Sequence, residues 1–363
     1  MNPITVTRLD VRMANPPLAV PHATASGMVA SFPVVLLDLR TSAGITGSAY
    51  AFVYTMLAAP AVARLLADLS AVVVGQPCAP LALDALLRQR FRLPGAQGLV
   101  AMARAAIDMA AWDVVCKANG LPLYAQLGAT RRGARGYGPV GLSGREGSAR
   151  ESRAGVARGF RGVKAKIGYA SVAEDIAVLR AMREAVGPDV AIMADYNQAL
   201  DVAEAMARCA ALDADPVIDL AWIEEPTTAE DYAGHAQIKA ATRIPIQAGE
   251  NWWGPLEVRK ALNAGAVDLM MPDAMKVGGV TSWMKVAAMA EVDGMPISNH
   301  LFPEVSAHLM AAAPTAGWFE WCDWAEPILA APVEVRDGLV WPSDKPGIGV
   351  EWNEAAVARF EVK

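Results

Sequence analysis

Lys164 and Lys166 lie two apart in a short stretch, Arg161-Gly162-Val163-Lys164-Ala165-Lys166-Ile167-Gly168. The stretch reads as a buried β-strand, and in a strand residues i and i+2 face the same way. Two ammonium groups side by side repel, so each loses proton affinity. A lysine pushed towards neutrality can act as a general base. A solvated edge strand with two lysines is the bland alternative, and the pair alone does not exclude it.

Three acidic segments follow with matching surroundings. Val190 to Ala194 runs into Asp195, Leu220 to Ile223 into Glu224, and Ile246 to Gly249 into Glu250. Each is a short apolar run that ends in a carboxylate and then turns. Such a run followed by a helical pattern reads as a strand of a parallel sheet covered on both faces. Asp195 and Glu224 are 29 residues apart, and Glu224 and Glu250 are 26 apart. One strand–helix–strand unit needs about that length. Carboxylates at the carboxyl ends of three successive barrel strands converge, and oxygen ligands of this kind suit Mg²⁺ or Mn²⁺. A single acid of this sort is more often a loop residue or a helix cap; three in register are not.

The rhythm continues. Val267 to Pro272 leads to Asp273, Met295 to Asn299 leads to His300, and Gly317 to Trp321 carries Glu320. A lone histidine is usually structural. Beside a strand-end aspartate in the same register, His300 reads as half of an Asp–His dyad. Glu320 sits between Phe319 and Trp321. Desolvation there is expected to raise its pKa and hold it protonated, as a hydrogen-bond donor.

The elements that must position these groups can be read in outline. Residues 1–130 run strands first and helices second, an α+β capping domain. From about residue 131 to 325, short strands alternate with amphipathic helices, with eight strand candidates between Tyr137 and Glu320. Repeats of this number predict a (β/α) TIM-type barrel, an α/β fold. The segment 326–363 breaks the pattern and is expected to return to the first domain. Residues 17–31 lack periodicity and suit either a mobile flap over the barrel mouth or a plain hairpin.

The chain has 363 residues, 54% of them hydrophobic and 19% charged, with net charge −6. That composition fits a globular protein with a large core. No basic block or aromatic–basic interleaving occurs, which argues against nucleic acid. No apolar run approaches the roughly 18 residues of a membrane span, and the start shows no leader pattern. Cys78, Cys116, Cys209 and Cys322 have no paired spacing. They read as reduced residues of a cytoplasmic protein.

The chain resembles the mandelate racemase subgroup of the enolase superfamily over nearly its whole length. The resemblance is carried by Val163 to Tyr169, Asp195 to Gln198, Trp222 to Thr227, Gly249 to Trp252, Met271 to Lys276 and Ser298 to Phe302. Enolase-superfamily sites are a known case of lysine or histidine bases working with Mg²⁺. The resemblance implies that Asp195, Glu224 and Glu250 bind Mg²⁺. It implies Lys166 as one base, its pKa lowered by Lys164 and the metal, and His300, oriented by Asp273, as the base on the other substrate face. Glu320 would donate to the carboxylate that becomes an enediolate, Lys164 would contact that carboxylate, and Asn197 would lie near the substrate hydroxyl.

Departures from the family pattern bear on the substrate. Pro139 stands where the subgroup has a serine that contacts the carboxylate. The flap positions that face an aryl ring are His22 and Ser26 here, with Val29 retained. Phe52, Tyr54, Leu93 and Leu301 are expected to keep an apolar wall. The main expectation is a Mg²⁺-dependent racemase or epimerase of mandelate or a similar 2-hydroxy acid. The alternative is an acid-sugar dehydratase that shares its first step, favoured by the polar His22 and Ser26. A silent barrel would lack a ligand or base, and none is missing. A muconate-type cycloisomerase would carry a lysine in place of the dyad. By analogy the chain forms a homo-oligomer, an octamer in the family.

Overall fold

The computed structural model describes residues 3–24 and 27–363. The chain opens with β1 (Val6–Ala14), β2 (Pro17–Thr24), β3 (Gly27–Ser31), β4 (Val34–Thr41) and β5 (Thr46–Phe52). β1, β4 and β5 make an antiparallel sheet. β2 and β3 pair separately, with His22 across from Val29. Residues 17–24 and 27–31 therefore form a two-stranded ribbon. Its side chains are mostly exposed or half-buried, so no buried face imposed the alternation that would have marked it.

Three helices follow: α1 (Ala59–Val73), α2 (Pro80–Arg90) and α3 (Leu99–Asn119). A proline sits in the first turn of α1 and α2, where its missing N–H costs nothing. Gly120, at φ +66, closes α3 in the left-handed region. α3 is buried along most of its length because it lies between the sheet and the barrel. At that junction Trp112 Nε1 donates to Thr281 Oγ1 at 2.9 Å, and Thr281 N–H donates to Asp108 Oδ2 at 3.0 Å. A Cβ on Gly279 would lie 2.3 Å from Asp108 Oδ2, and its φ is +85. Only glycine permits this approach.

The barrel strands are β6 (Ala134–Val140), β7 (Gly162–Lys166), β8 (Ala191–Asp195), β9 (Leu220–Glu224), β10 (Ile246–Ala248), β11 (Leu269–Met270) and β12 (Trp318–Glu320). β6 to β11 pair in chain order and in parallel, and β12 pairs with β6. The remaining stave, near Ile297, is reduced to parallel bridges, Met270 to Ile297, Asp273 to His300 and Ile297 to Ala316. Pro296 immediately precedes it and Pro272 lies in the segment it bridges to, and neither has an N–H to extend a ladder. The expected eight strands are thus seven strands and one bridged segment. Between strands the helices carry local start signals. Ser171 and Glu174 form a capping box for Val172–Val186, and Asp201 caps Val202–Asp213.

Beyond residue 325, β13 (Glu334–Arg336) and β14 (Leu339–Trp341) form a hairpin, and β14 adds to barrel strand β6. The rest of the segment returns to the first domain: Ile348 N–H donates to Asp113 Oδ1 at 2.9 Å, Trp352 Nε1 donates to Asp38 Oδ1 at 2.8 Å, and β15 (Glu361–Val362) pairs with β1. Among the described residues no helix is long and apolar enough to cross a membrane.

Cap and barrel also meet where Phe302 stacks on Tyr50 at 4.9 Å and Tyr50 Oη donates to Glu304 Oε2 at 2.8 Å. Glu304 is buried, and burial pushes its carboxyl up to about 7 from 4.5. A raised acid adds stability that is fully present below its unfolded value and is lost as pH rises through the folded value. Glu304→Gln keeps an acceptor for Tyr50 and has no charge to bury. We expect the variant to match the wild type near pH 4.5 and to exceed it at pH 8 by on the order of 2–3 kcal/mol. Urea unfolding at the two pH values measures this, and equal differences at both would reject it.

Candidate active site

Strand register builds the site. Lys166 pairs with Asp195 across β7 and β8, and Asp195 with Glu224 across β8 and β9. Lysine and carboxylates from three strands therefore stand in one row at the carboxyl ends, the face on which barrel enzymes carry their chemistry. Glu250 joins them just past β10 by way of Gly249 at φ +139, where a Cβ would press to 3.0 Å on Met271 N. Asp195, Glu224 and Glu250 are all buried, and each offers an oxygen within 4.8 Å of the others.

These charges do not balance by themselves. Lys164 donates to both oxygens of Glu224, at 2.7 and 2.8 Å, and lies 3.6 Å from Asp195 Oδ2. Lys166 donates to Asp195 Oδ2. Burial opposes ionisation of Asp195, but Lys166, Lys164 and the Asn197 N–H bring it down to about 2. Burial raises Glu224, and the Asp195 charge raises it further, despite its contact with Lys164. Three carboxylates so close need more positive charge than the two lysines supply. A hard divalent cation fits this all-oxygen donor set.

One electrostatic expectation is corrected, and another depends on the cation. Without the ion Lys166 is raised: burial and the Lys164 charge depress it, but Asp195, Glu250 and Glu224 outweigh them, and a cation held by those three carboxylates would offset that excess. Glu320 is not held protonated. Burial pushes it up, but Lys164 at 2.9 Å, with His300 and Lys166, brings it down to about 2. The flanking aromatic residues suggested an apolar setting, whereas the barrel interior placed a buried ammonium against the carboxylate.

His300 and Asp273 form the expected dyad, Nδ1 to Oδ2 at 2.8 Å. Asp273 Oδ1 accepts the N–H groups of Met275 and Lys276 at 2.7 and 2.8 Å. His300 Nε2 lies 3.3 Å from Glu250 Oε2. Burial lowers the imidazole, but Glu250 and Asp273 raise it overall. Lys166 thus abuts one member of the carboxylate triad and His300 abuts another. Leu301 N–H donates to Glu320 Oε2 at 3.1 Å, and Asn299 links to Glu320 through both its amide atoms.

Six of the eight non-glycine residues with positive φ among the described residues are at or beside this site: Tyr54, Asn197, Gln198, Glu225, Leu301 and Phe302. Backbone strain of this kind persists only where packing over-determines it, and it concentrates at functional sites. Asn197 N–H donates to Asp195 Oδ1 at 2.7 Å, which its left-handed turn allows.

A cavity of about 380 Å³ opens on the triad, lined by Lys164, Lys166, Glu250, His300 and Glu320. Asn197, Leu301 and Pro139 reach it from the barrel, and His22, Val29, Phe52 and Tyr54 from the cap. Ser26 lies outside the described residues. Leu93 is not part of the wall: it is 95% exposed, in the turn after α2. Burial, with the Lys166 charge, lowers His22 to about 4, so its imidazole is neutral. The sequence reading missed Thr24, Gln198, Asn251 and Trp324, which also line the cavity. It also missed the buried Glu225 and Lys276. The doublet Glu224-Glu225 and the lysine three places after Asp273 were the available signals.

A capped barrel with a carboxylate triad, a lysine pair and an Asp–His dyad is the architecture of the enolase type. Residues 5–128 match the mandelate racemase/muconate lactonizing enzyme N-terminal domain, and residues 148–356 match the enolase C-terminal domain-like family. The chain belongs to the mandelate racemase/muconate lactonizing enzyme family of the enolase superfamily. It is 35% identical to the L-talarate/galactarate dehydratase of Salmonella typhimurium over 72% of this chain and 66% of that protein. It is 33% identical to the D-galactarolactone cycloisomerase of Agrobacterium fabrum, over 77% of this chain and 79% of that one. Among solved structures it is similar to an enolase from Bradyrhizobium complexed with magnesium and mandelic acid. That likeness has TM-score 0.96 and 41% identity over the full length of both chains.

Proposed function

We propose that this chain is a Mg²⁺-dependent acid-sugar dehydratase, which puts the second of the two activities weighed from the sequence ahead of hydroxy-acid racemisation. The supporting observation is the pairing of two distinct bases, Lys166 and the His300–Asp273 dyad, with a triad that fits a divalent cation. The substrate class is supported by the sugar-acid relatives and by the polar His22, Thr24, Asn197 and Gln198 on the cavity wall.

In this reading Asp195, Glu224 and Glu250 hold Mg²⁺, with Mn²⁺ as a substitute. When bound, the ion supplies positive charge to the substrate carboxylate as negative charge develops there. Lys164 approaches the same carboxylate. Lys166 or His300 takes the α-proton, and its electron pair moves onto the carboxylate. The β-hydroxyl then leaves as water with a proton from the His300 imidazolium, and the enol product tautomerises to a 2-keto acid. Asp273 holds the imidazole in orientation. Glu320 enters as the charged partner of Lys164, which keeps that ammonium aimed, and not as a donor. Neutral His22 bonds a substrate hydroxyl.

A second reading is racemisation of a 2-hydroxy acid. It is favoured by the wall of Val29, Phe52, Tyr54 and Leu301 and by the likeness to the Bradyrhizobium enolase with mandelic acid. Proton NMR in D₂O with Mg²⁺ separates the two. A 2-keto acid formed from one of a panel of acid sugars supports the dehydratase; α-deuteration and loss of optical rotation of mandelate, with no keto product from any sugar, rejects it. His22→Val should lower kcat/KM for the accepted sugar about tenfold, the effect of one lost hydrogen bond. An unchanged value would remove His22 from substrate binding.

We also propose a cytoplasmic location, supported by four buried free cysteines, and a homo-oligomer, carried from the family resemblance. Sedimentation velocity at micromolar protein tests the latter, and a monomer rejects it.

A further inference from the structure

Tyr54 is the part of the cavity wall that the cap supplies on left-handed backbone, at φ +59. Its ring is held from two directions. Phe52 lies 4.3 Å away between ring centroids, and the Lys276 ammonium stands 4.4 Å from the Tyr54 centroid. The same ammonium is 5.9 Å from the Trp253 centroid and donates to Asn251 Oδ1. Asn251 Nδ2 in turn donates to Glu250 Oε1 at 3.2 Å and to both oxygens of Glu225, at 3.0 and 2.8 Å. Lys276 is 4% exposed, and the proposed reaction makes no use of its side chain.

A buried ammonium is unfavourable unless its protons and charge find partners. Here the partners are an amide oxygen and two aromatic faces, the latter being the geometry of a desolvated cation–π contact. The amide belongs to the residue that follows a member of the carboxylate triad. One aromatic ring belongs to the cap. The Lys276 main chain meanwhile holds Asp273 Oδ1.

We infer that Lys276 is a positioning residue that ties the cap's wall of the cavity to the triad, through its cation–π contact with Tyr54 and its hydrogen bond to Asn251. The wall therefore takes its position from the charged centre of the barrel and not from the cap alone. Loss of the cation frees the 53–58 turn and loosens the substrate's surroundings, while the bases and the dyad stay in place.

The inference rests on the proposed reaction only for its kinetic arm, so two arms are read. Hydrogen exchange, followed by mass spectrometry with Mg²⁺ present, reports on the peptide spanning residues 52–58. Lys276→Met should speed exchange there about tenfold, and Lys276→Arg, which keeps a stacking cation, should stay within about threefold of wild type. Unchanged exchange in Lys276→Met overturns the inference. If that variant does not fold, Lys276→Gln is read in its place with the same outcomes. In the kinetic arm, Lys276→Met and Tyr54→Leu should each raise KM for the accepted acid about tenfold with kcat within about threefold, and the double variant should be no worse than either. Effects that multiply in the double variant overturn the inference. A wild type that turns over neither acid sugars nor mandelate rejects the proposed reaction instead, and the exchange arm still decides the role of Lys276.

Discussion

His300→Asn and Lys166→Ala should each lower dehydration of the accepted acid sugar by about a thousandfold, the usual weight of a positioned general acid or base. The two losses differ in kind. His300 sits in a dyad with Asp273 and beside Glu250, and Lys166 sits on Asp195. Each base reaches the substrate from a different member of the triad. Solvent deuterium exchange at the α-carbon reads them separately. His300→Asn should retain exchange on the epimer whose proton Lys166 removes, and Lys166→Ala on the other. Neither substitution touches all three carboxylates, so Mg²⁺ binding should survive both. Equal loss of exchange on both epimers from each variant would sink the two-base assignment.

Removal of the divalent ion should have the larger effect. Turnover in excess chelator is expected to fall to background and to return on addition of Mg²⁺ or Mn²⁺. The physical reason is local: Asp195, Glu224 and Glu250 are buried together, with Lys164, Lys166 and the His300 imidazole against them. Glu224 is raised even with Lys164 on both its oxygens. Mg²⁺ at about a hundred times its dissociation constant should therefore stabilise the fold by about 2.7 kcal/mol. Glu224→Gln separates charge from shape. It should bind Mg²⁺ at least tenfold more weakly, since one of three anionic donors is gone. In chelator it should be at least as stable as wild type, because one of three mutually repelling charges is gone. Full activity in chelator, or a Glu224→Gln protein that binds Mg²⁺ as tightly as wild type, would refute the role of the triad.

The ribbon of residues 17–24 and 27–31 and the stave at 297–300 mark where pattern reading weakened. The ribbon has no buried face, so nothing required its residues to alternate. The stave at 297–300 follows Pro296 and survives as single bridges, yet His300 still arrives at its carboxyl end. The helices around the barrel were easier to read, because capping residues such as Ser171 with Glu174 and terminators such as Gly187 act within a few residues.

Chemical identity and order were determined by the sequence by itself. Carboxylates at the ends of successive strands, the lysine pair and the Asp–His dyad follow from residue type and from strand and crossover lengths, which are local properties. The tertiary structure alone decided the charges. The ionisation of Glu320 and Lys166 depends on which groups stand within a few ångströms across neighbouring strands, and Coulomb energy in a buried site is set by those distances and not by sequence separation. The same holds for Leu93, which a matched position put in the wall and the turn after α2 put in solvent. It holds too for Lys276, whose partners Asn251 and Tyr54 come from different strands and different domains.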